Sequence, residues 1–132
     1  MVAWFVIAVM LTASAFAKSA MDILQHKFND SIFSDLNDDW WDPTFSWRNK
    51  YYARSEYLGE RFPGSTTIFV FVTDAWHMFQ FIWGNMLWLS FALIALNVRD
   101  VSLLGIALIF LVSRIYYGMI FELAYRYTLK RG

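Results

Sequence analysis

The sequence predicts an all-α integral membrane protein with three transmembrane helices, an amphipathic interfacial helix and an aromatic loop. Hydrophobic residues make up 58% of the 132 positions and charged residues 17%, against about 45–50% and about 25% in soluble domains. Two stretches in the C-terminal half are each long and apolar enough to cross a bilayer core of ~30 Å, which takes about 20 helical residues. We therefore interpret residues 1–132 as a single membrane domain.

Composition and motifs exclude several classes of protein. The formal net charge is zero, so nothing favours a nucleic-acid partner. There are no cysteines, which excludes disulfides, zinc–thiolate sites and a cysteine nucleophile. The sequence has no nucleophile elbow, Walker loop, Rossmann glycine pattern or zincin helix. It also has no internal repeat, which disfavours an inverted-repeat transporter.

The first predicted span covers residues 2–17, "VAWFVIAVMLTASAFA". The alternative is a cleaved signal peptide, because "AFA" before Lys18 resembles a signal-peptidase site. No Lys or Arg precedes the apolar run, whereas a signal peptide normally begins with a basic region. We therefore favour a span. Small residues four positions apart suit a packing face in lipid: Ala8 with Thr12, and Ala13 with Ala17.

The linker, residues 18–65, is predicted to begin with an amphipathic helix over residues 18–37. Apolar residues follow helical spacing there: Met21, Leu24, Phe28, Ile32 and Leu36. This helix either bends to lie along the membrane interface or extends straight against a partner.

An aromatic loop follows, "DDWWDPTFSWRNKYY" over residues 38–52. Tryptophan and tyrosine collect at the lipid–water boundary, with the ring among headgroups and the polar atom in water. Arg48 and Lys50 can pair with Asp38, Asp39 or lipid phosphate. We interpret the loop as an interfacial plug, with a substrate-binding loop as the alternative. Its candidate residues are Trp40, Trp41, Asp42, Pro43, Ser46, Trp47, Arg48, Asn49 and Lys50.

The second and third spans are predicted over residues 75–96 and 101–121. The second span carries no Asp, Glu, Lys or Arg, and the third carries only Arg114. The short link "NVRD" predicts an antiparallel hairpin, with Asp100 as the N-cap of the third span. The residues before the second span are predicted to extend its helix back to Thr66.

Hairpin geometry predicts two polar layers, because ionisable groups in lipid usually face protein or trapped water. The layer near the interface holds Asp74, His77 and Glu122, which could bind a divalent metal or relay a proton. The deeper layer holds Asn85, Ser113 and Arg114, interpreted as a clasp between the two helices. On the third span, the spacing of four places Arg114, Gly118 and Glu122 on one face.

Three stretches resemble an uncharacterised family of small membrane proteins of bacterial and phage genomes. They are "WWDPTFSWRNKY", "GERFPGSTT" and "FVTDAWHMFQF", matching W-[DN]-P-x-x-S-W-[RK]-N-K, F-P-G-S-[ST]-T and T-D-x-W-H across residues 40–81. The resemblance implies a membrane protein and no particular activity. The pattern singles out Pro43, Ser46, Trp47, Asn49, Lys50, Asp74 and His77.

Charge asymmetry predicts an orientation. With three spans, nine cations lie on the side of the linker and the C-terminus, and the other side holds only Arg99. By the positive-inside rule the N-terminus is outside, and the linker and C-terminus are cytoplasmic. The nine are Lys18, Lys27, Arg48, Lys50, Arg54, Arg61, Arg126, Lys130 and Arg131.

The functional prediction is a structural or accessory subunit that assembles in the bilayer with itself or with a larger membrane complex. One alternative is an enzyme or binder of lipid headgroups at the cytoplasmic face, with a divalent metal at Asp74, His77 and Glu122. The other is an oligomeric pore or proton pathway around Arg114 and Asn85.

Overall fold

The computed structural model describes residues 2–98 and 100–131, and this part of the chain is helical and has no β-strand. It contains three helices that are long and apolar enough to cross a membrane, so the all-α prediction is confirmed. The α-helices in chain order are α1 (Val2–Lys27), α2 (Asp38–Trp41), α3 (Pro43–Ser46), α4 (Ala75–Asn97) and α5 (Leu103–Leu123).

Helix α1 is the centre of the molecule. It packs along α4 and also along α5, whereas α4 and α5 have little direct contact although only a short link joins them. The predicted hairpin is therefore splayed, and α1 holds its two helices together. The side chains that α1 buries are small or aliphatic, which allows close approach of helices in lipid. They include Ile7, Leu11, Ser14, Ala15, Ala17, Ser19, Ala20, Ile23 and Leu24.

Hydroxyl groups of α1 make hydrogen bonds to both neighbouring helices. The Ser14 hydroxyl donates to the carbonyl of Trp83 on α4, at 2.9 Å. Towards α5, the Ser19 hydroxyl donates to the carbonyl of Phe121 at 2.8 Å. The Thr12 and Tyr116 hydroxyls are also bonded, at 2.7 Å.

Side-chain caps set the starts of α4 and α5. The Asp74 carboxylate accepts a hydrogen bond from the His77 N–H, so α4 begins at Ala75, and the predicted extension back to Thr66 is wrong. The chain before Asp74 forms turns and a short 3-10 helix. Helix α5 is capped by Ser102 instead of Asp100, because the chain makes a turn before the helix begins.

The amphipathic segment predicted over residues 18–37 is helical only in its first half. It continues α1 to Lys27 and a 3-10 turn, Phe28–Asp30, and then the chain turns at Ser31. The Ser31 hydroxyl bonds back to the carbonyl of Phe28 at 2.7 Å. Such a local bond competes with the helical ladder, so serine favours a turn here.

Residues 31–74, which we name the cap, fold over one end of the three long helices. Phe33 stacks on Trp41 with ring centroids 5.0 Å apart, and both pack near Phe79 of α4. The C-terminal tail joins the same end, where the Ile32 N–H donates to the carbonyl of Leu129 at 3.0 Å. The linker and the C-terminus therefore lie at one end of the bundle, the cap end.

Candidate functional site

The aromatic loop is fastened to the start of α4 by one buried amide. Asn49 is 8% exposed, and its Nδ2 donates to the carbonyls of Asp39 at 2.5 Å and Thr73 at 3.0 Å. Local capping brings Asn49 into place, since Asn37 caps α2 and Asp42 caps α3. This amide therefore holds the fold of the loop together, and the interfacial plug stays a prediction.

The cations of the loop lie over aromatic rings. The Arg48 guanidinium is 5.2 Å from the Trp47 ring centroid, and the Lys50 ammonium is 5.4 Å from that of Tyr51. In the described residues neither cation pairs with a carboxylate. Asp39 pairs instead with Arg54 at 2.9 Å. Within the described residues, cation–π contacts therefore take the place of the predicted pairing with Asp38 or Asp39, and pairing with lipid phosphate stays a prediction.

The aromatic rings of the loop differ in their environment. Trp40 and Trp41 pack against the core at the cap end. Trp47 instead makes a T-shaped contact with Tyr51, with ring centroids 6.2 Å apart. Ser46 is buried, and its hydroxyl has no hydrogen-bond partner among the described residues. Pro43 occupies the first turn of α3, where its missing N–H costs nothing.

A second turn of the cap is fixed by Ser65 and Glu60. The buried Ser65 hydroxyl donates to the carbonyl of Lys50 at 2.7 Å and accepts from the Arg61 N–H at 3.1 Å. The Glu60 carboxylate accepts from the Thr66 hydroxyl and from the Gly64 N–H. These hydrogen bonds, that from the Thr66 hydroxyl first, lower the pKa of the Glu60 carboxyl.

The predicted trio of Asp74, His77 and Glu122 does not form one cluster. Asp74 is 1% exposed and accepts from His77 Nδ1 at 2.6 Å in addition to capping α4. Glu122 is exposed on α5 and pairs with Arg126 at 2.5 Å. Within residues 2–98 and 100–131, no three His, Asp or Glu side chains are arranged to hold a metal. Asp74 and His77 instead form the N-terminal capping interaction of α4.

The structure also separates the predicted clasp residues. Asn85 is exposed, and its amide donates to the Phe81 carbonyl one turn earlier in α4. Ser113 and Arg114 line a groove instead, and no hydrogen bond in the described chain joins them to Asn85. The predicted clasp is therefore wrong. Helix α1 contacts both α4 and α5 and joins them instead.

A large groove lies among α1, α4 and α5, and we name it the lateral groove. Its volume is about 620 Å³, within the range of about 300–1,000 Å³ for ligand sites. Its lining is mostly apolar, with charged and polar groups towards the cap end. These are Lys18 and Asp22 of α1 and Ser113, Arg114, Tyr117 and Glu122 of α5.

Sequence reasoning did not predict the groove, although it placed Arg114, Gly118 and Glu122 on one helix face, and all three do line it. Arg114 Nη1 lies 3.6 Å from the position that a Cβ on Gly118 would take. The guanidinium therefore extends along α5 towards the cap end. The missing information was the separation of α4 from α5, which no local pattern carries.

Fold and geometry define the class as an all-helical protein with three apolar helices of membrane-spanning length. No protein-family model, curated protein or solved structure matches the chain. The resemblance to small bacterial and phage membrane proteins therefore stays a prediction. Arg99, the cation that the predicted orientation places outside, lies outside the described residues.

Proposed function

We propose that this protein is a structural or accessory subunit of a membrane assembly, formed with further copies or with a larger complex. Its buried polar side chains support a structural role, because nearly all of them serve the fold. Asn49 and Ser65 fasten the cap, Asp74 starts α4, and the serines of α1 join helices.

The observation that carries the proposal is apolar surface on the cap. Tyr57 is 92% exposed, Ile68 75% and Leu58 59%. Lipid tails explain exposed apolar residues on the long helices, but the cap lies beyond the helix ends and is rich in charge. Exposed apolar groups in such a setting are typical of protein or membrane contact surfaces, and we assign this surface to a neighbouring subunit.

A photo-crosslinking amino acid at position 68 tests this assignment in native membranes. We expect a discrete protein adduct from position 68. We expect none from the matched position 103, because the exposed Leu103 lies at the other end of the bundle, where the proposal places lipid around the helices. Adducts with lipid alone at both positions would overturn the proposal.

For orientation, we propose that the N-terminus is outside and the cap end is cytoplasmic, which the distribution of cations supports. The chain has no cysteine, so a single introduced cysteine is a unique label. We expect a membrane-impermeant maleimide to label Asp100→Cys in intact cells, and Tyr57→Cys only after permeabilisation. The reverse pattern would invert the orientation.

A further inference from the structure

The lateral groove changes in polarity along its length. The lining residues Leu87, Phe91 and Phe110 come from the halves of α4 and α5 that lie away from the cap. Lys18, Asp22 and Glu122 line the opposite end. A groove with an apolar half and a charged mouth matches an amphiphile that has a charged head and a hydrocarbon tail.

The charges at the mouth differ in whether they are already paired. Lys18 is bonded to Asp22 at 2.5 Å, and Glu122 to Arg126. Arg114 makes no ion pair or side-chain hydrogen bond within the part of the chain that the structure describes. Its guanidinium carries a positive charge and five hydrogen-bond donors, so in a lipid environment it needs an anionic acceptor from outside the chain.

The depth of Arg114 indicates the source of that acceptor. It lies eight positions before Glu122, or ~12 Å along the helix, and its side chain extends over Gly118 towards the cap end. Arginine side chains in membranes reach in this way towards the headgroup layer. The nearest abundant anion in that direction is the phosphate of a phospholipid.

We propose that the lateral groove binds one phospholipid from the leaflet at the cap end. Its phosphate meets Arg114 beside Tyr117, and one acyl chain lies along Leu87, Phe91 and Phe110. The lipid fills the space between α4 and α5 that α1 leaves open. This site is separate from the cap surface of the proposed assembly role, so either inference can fail without the other.

The test is native mass spectrometry of the full chain, released from nanodiscs of phosphatidylethanolamine and phosphatidylglycerol. We expect one retained phospholipid per chain. Arg114→Gln should lower its retention about tenfold, the effect of losing a charge-assisted hydrogen bond. Leu87→Trp, which fills the apolar half, should also release the lipid. The matched variant Leu89→Trp, on the same helix but outside the groove lining, should retain it.

Circular dichroism of each variant separates loss of lipid from loss of fold. Equal lipid retention by folded Leu87→Trp and Leu89→Trp would overturn the proposal, because such lipid would be annular. A free fatty acid, or a second copy of the chain, found in place of the phospholipid would also overturn it. Retention of both headgroup types with loss in Arg114→Gln supports recognition of the phosphate, which they share.

Discussion

Helices α1 and α5 show opposite relations between hydrophobicity and burial. Helix α5 contains the most apolar stretch of the three long helices, and none of that stretch is buried in the protein. The corresponding stretch of α1 is less apolar, and 44% of it is buried. In water the order would be reversed, since burial follows hydrophobicity.

This difference is typical of helices that pack in lipid instead of water. Lipid tails are as apolar as leucine, so hydrophobicity alone does not bring helices together in a bilayer. Close approach of small residues and hydrogen bonds between helices take over that role. Ala15, Ser14 and Ser19 give α1 both features, whereas the large aliphatic residues of α5 suit contact with lipid.

The largest expected effect on stability comes from enlarging a buried alanine of α1, with an exposed alanine of α5 as the control. Ala15→Leu, at a position with no exposed surface, should destabilise the folded chain by about 1–3 kcal/mol, because a packed interface does not accommodate extra methylenes without strain. The same substitution at the exposed Ala107 of α5 should change little. Unfolding in mixed micelles measures both, and equal losses would contradict the central position of α1.

Removing the side chain that caps the N-terminus of α4 should have the next largest effect on stability. Asp74→Ala takes away the acceptor of two hydrogen bonds from His77 and should cost about 1–2 kcal/mol, as loss of an N-cap does. Asp74→Asn keeps a capping oxygen and should retain most of the stability. The same unfolding measurement decides, and equal losses in the two variants would assign the effect to the charge instead of the cap.

A smaller effect is expected from the hydrogen bond that joins α1 to α5. Ser19→Ala removes the donor to the Phe121 carbonyl and should cost ~0.6 kcal/mol, the average for such bonds in membrane proteins. Ser113→Ala is the control, because the Ser113 hydroxyl has no hydrogen bond in the described chain. A larger loss in the control would argue that α5 is held in another way.

The smallest effect lies outside both helices, in the cap. Because hydrogen bonds from the Thr66 hydroxyl and the Gly64 N–H lower the pKa of Glu60, this carboxylate stabilises the fold above its ordinary pKa. The contribution disappears as the pH falls through the lowered pKa. Thermal unfolding measured against pH should show a small loss of stability at acid pH, and Glu60→Gln should remove this loss. An unchanged profile in that variant would exclude the effect.

Local features of the sequence predicted the bounds of α4 and α5 to within a few residues. The second span was predicted over 75–96 and is Ala75–Asn97, and the third was predicted over 101–121 and is Leu103–Leu123. Both follow from the length of apolar sequence with at most one charged residue, which is long enough to cross a bilayer. The start of α4 at Ala75 and the N-cap of α5 at Ser102 could not be predicted in this way. They depend on which side-chain oxygens accept hydrogen bonds from the helix N–H groups.

The sequence by itself determined that the chain forms three long apolar helices and carries small residues on the first. Only the tertiary structure decided that α1 stands between α4 and α5, that Asp74 and His77 lie apart from Glu122, and that Arg114 faces a groove. The physical reason is that an apolar side chain on a helix is equally suited to lipid and to protein. Which of the two it meets depends on how closely whole helices can approach one another.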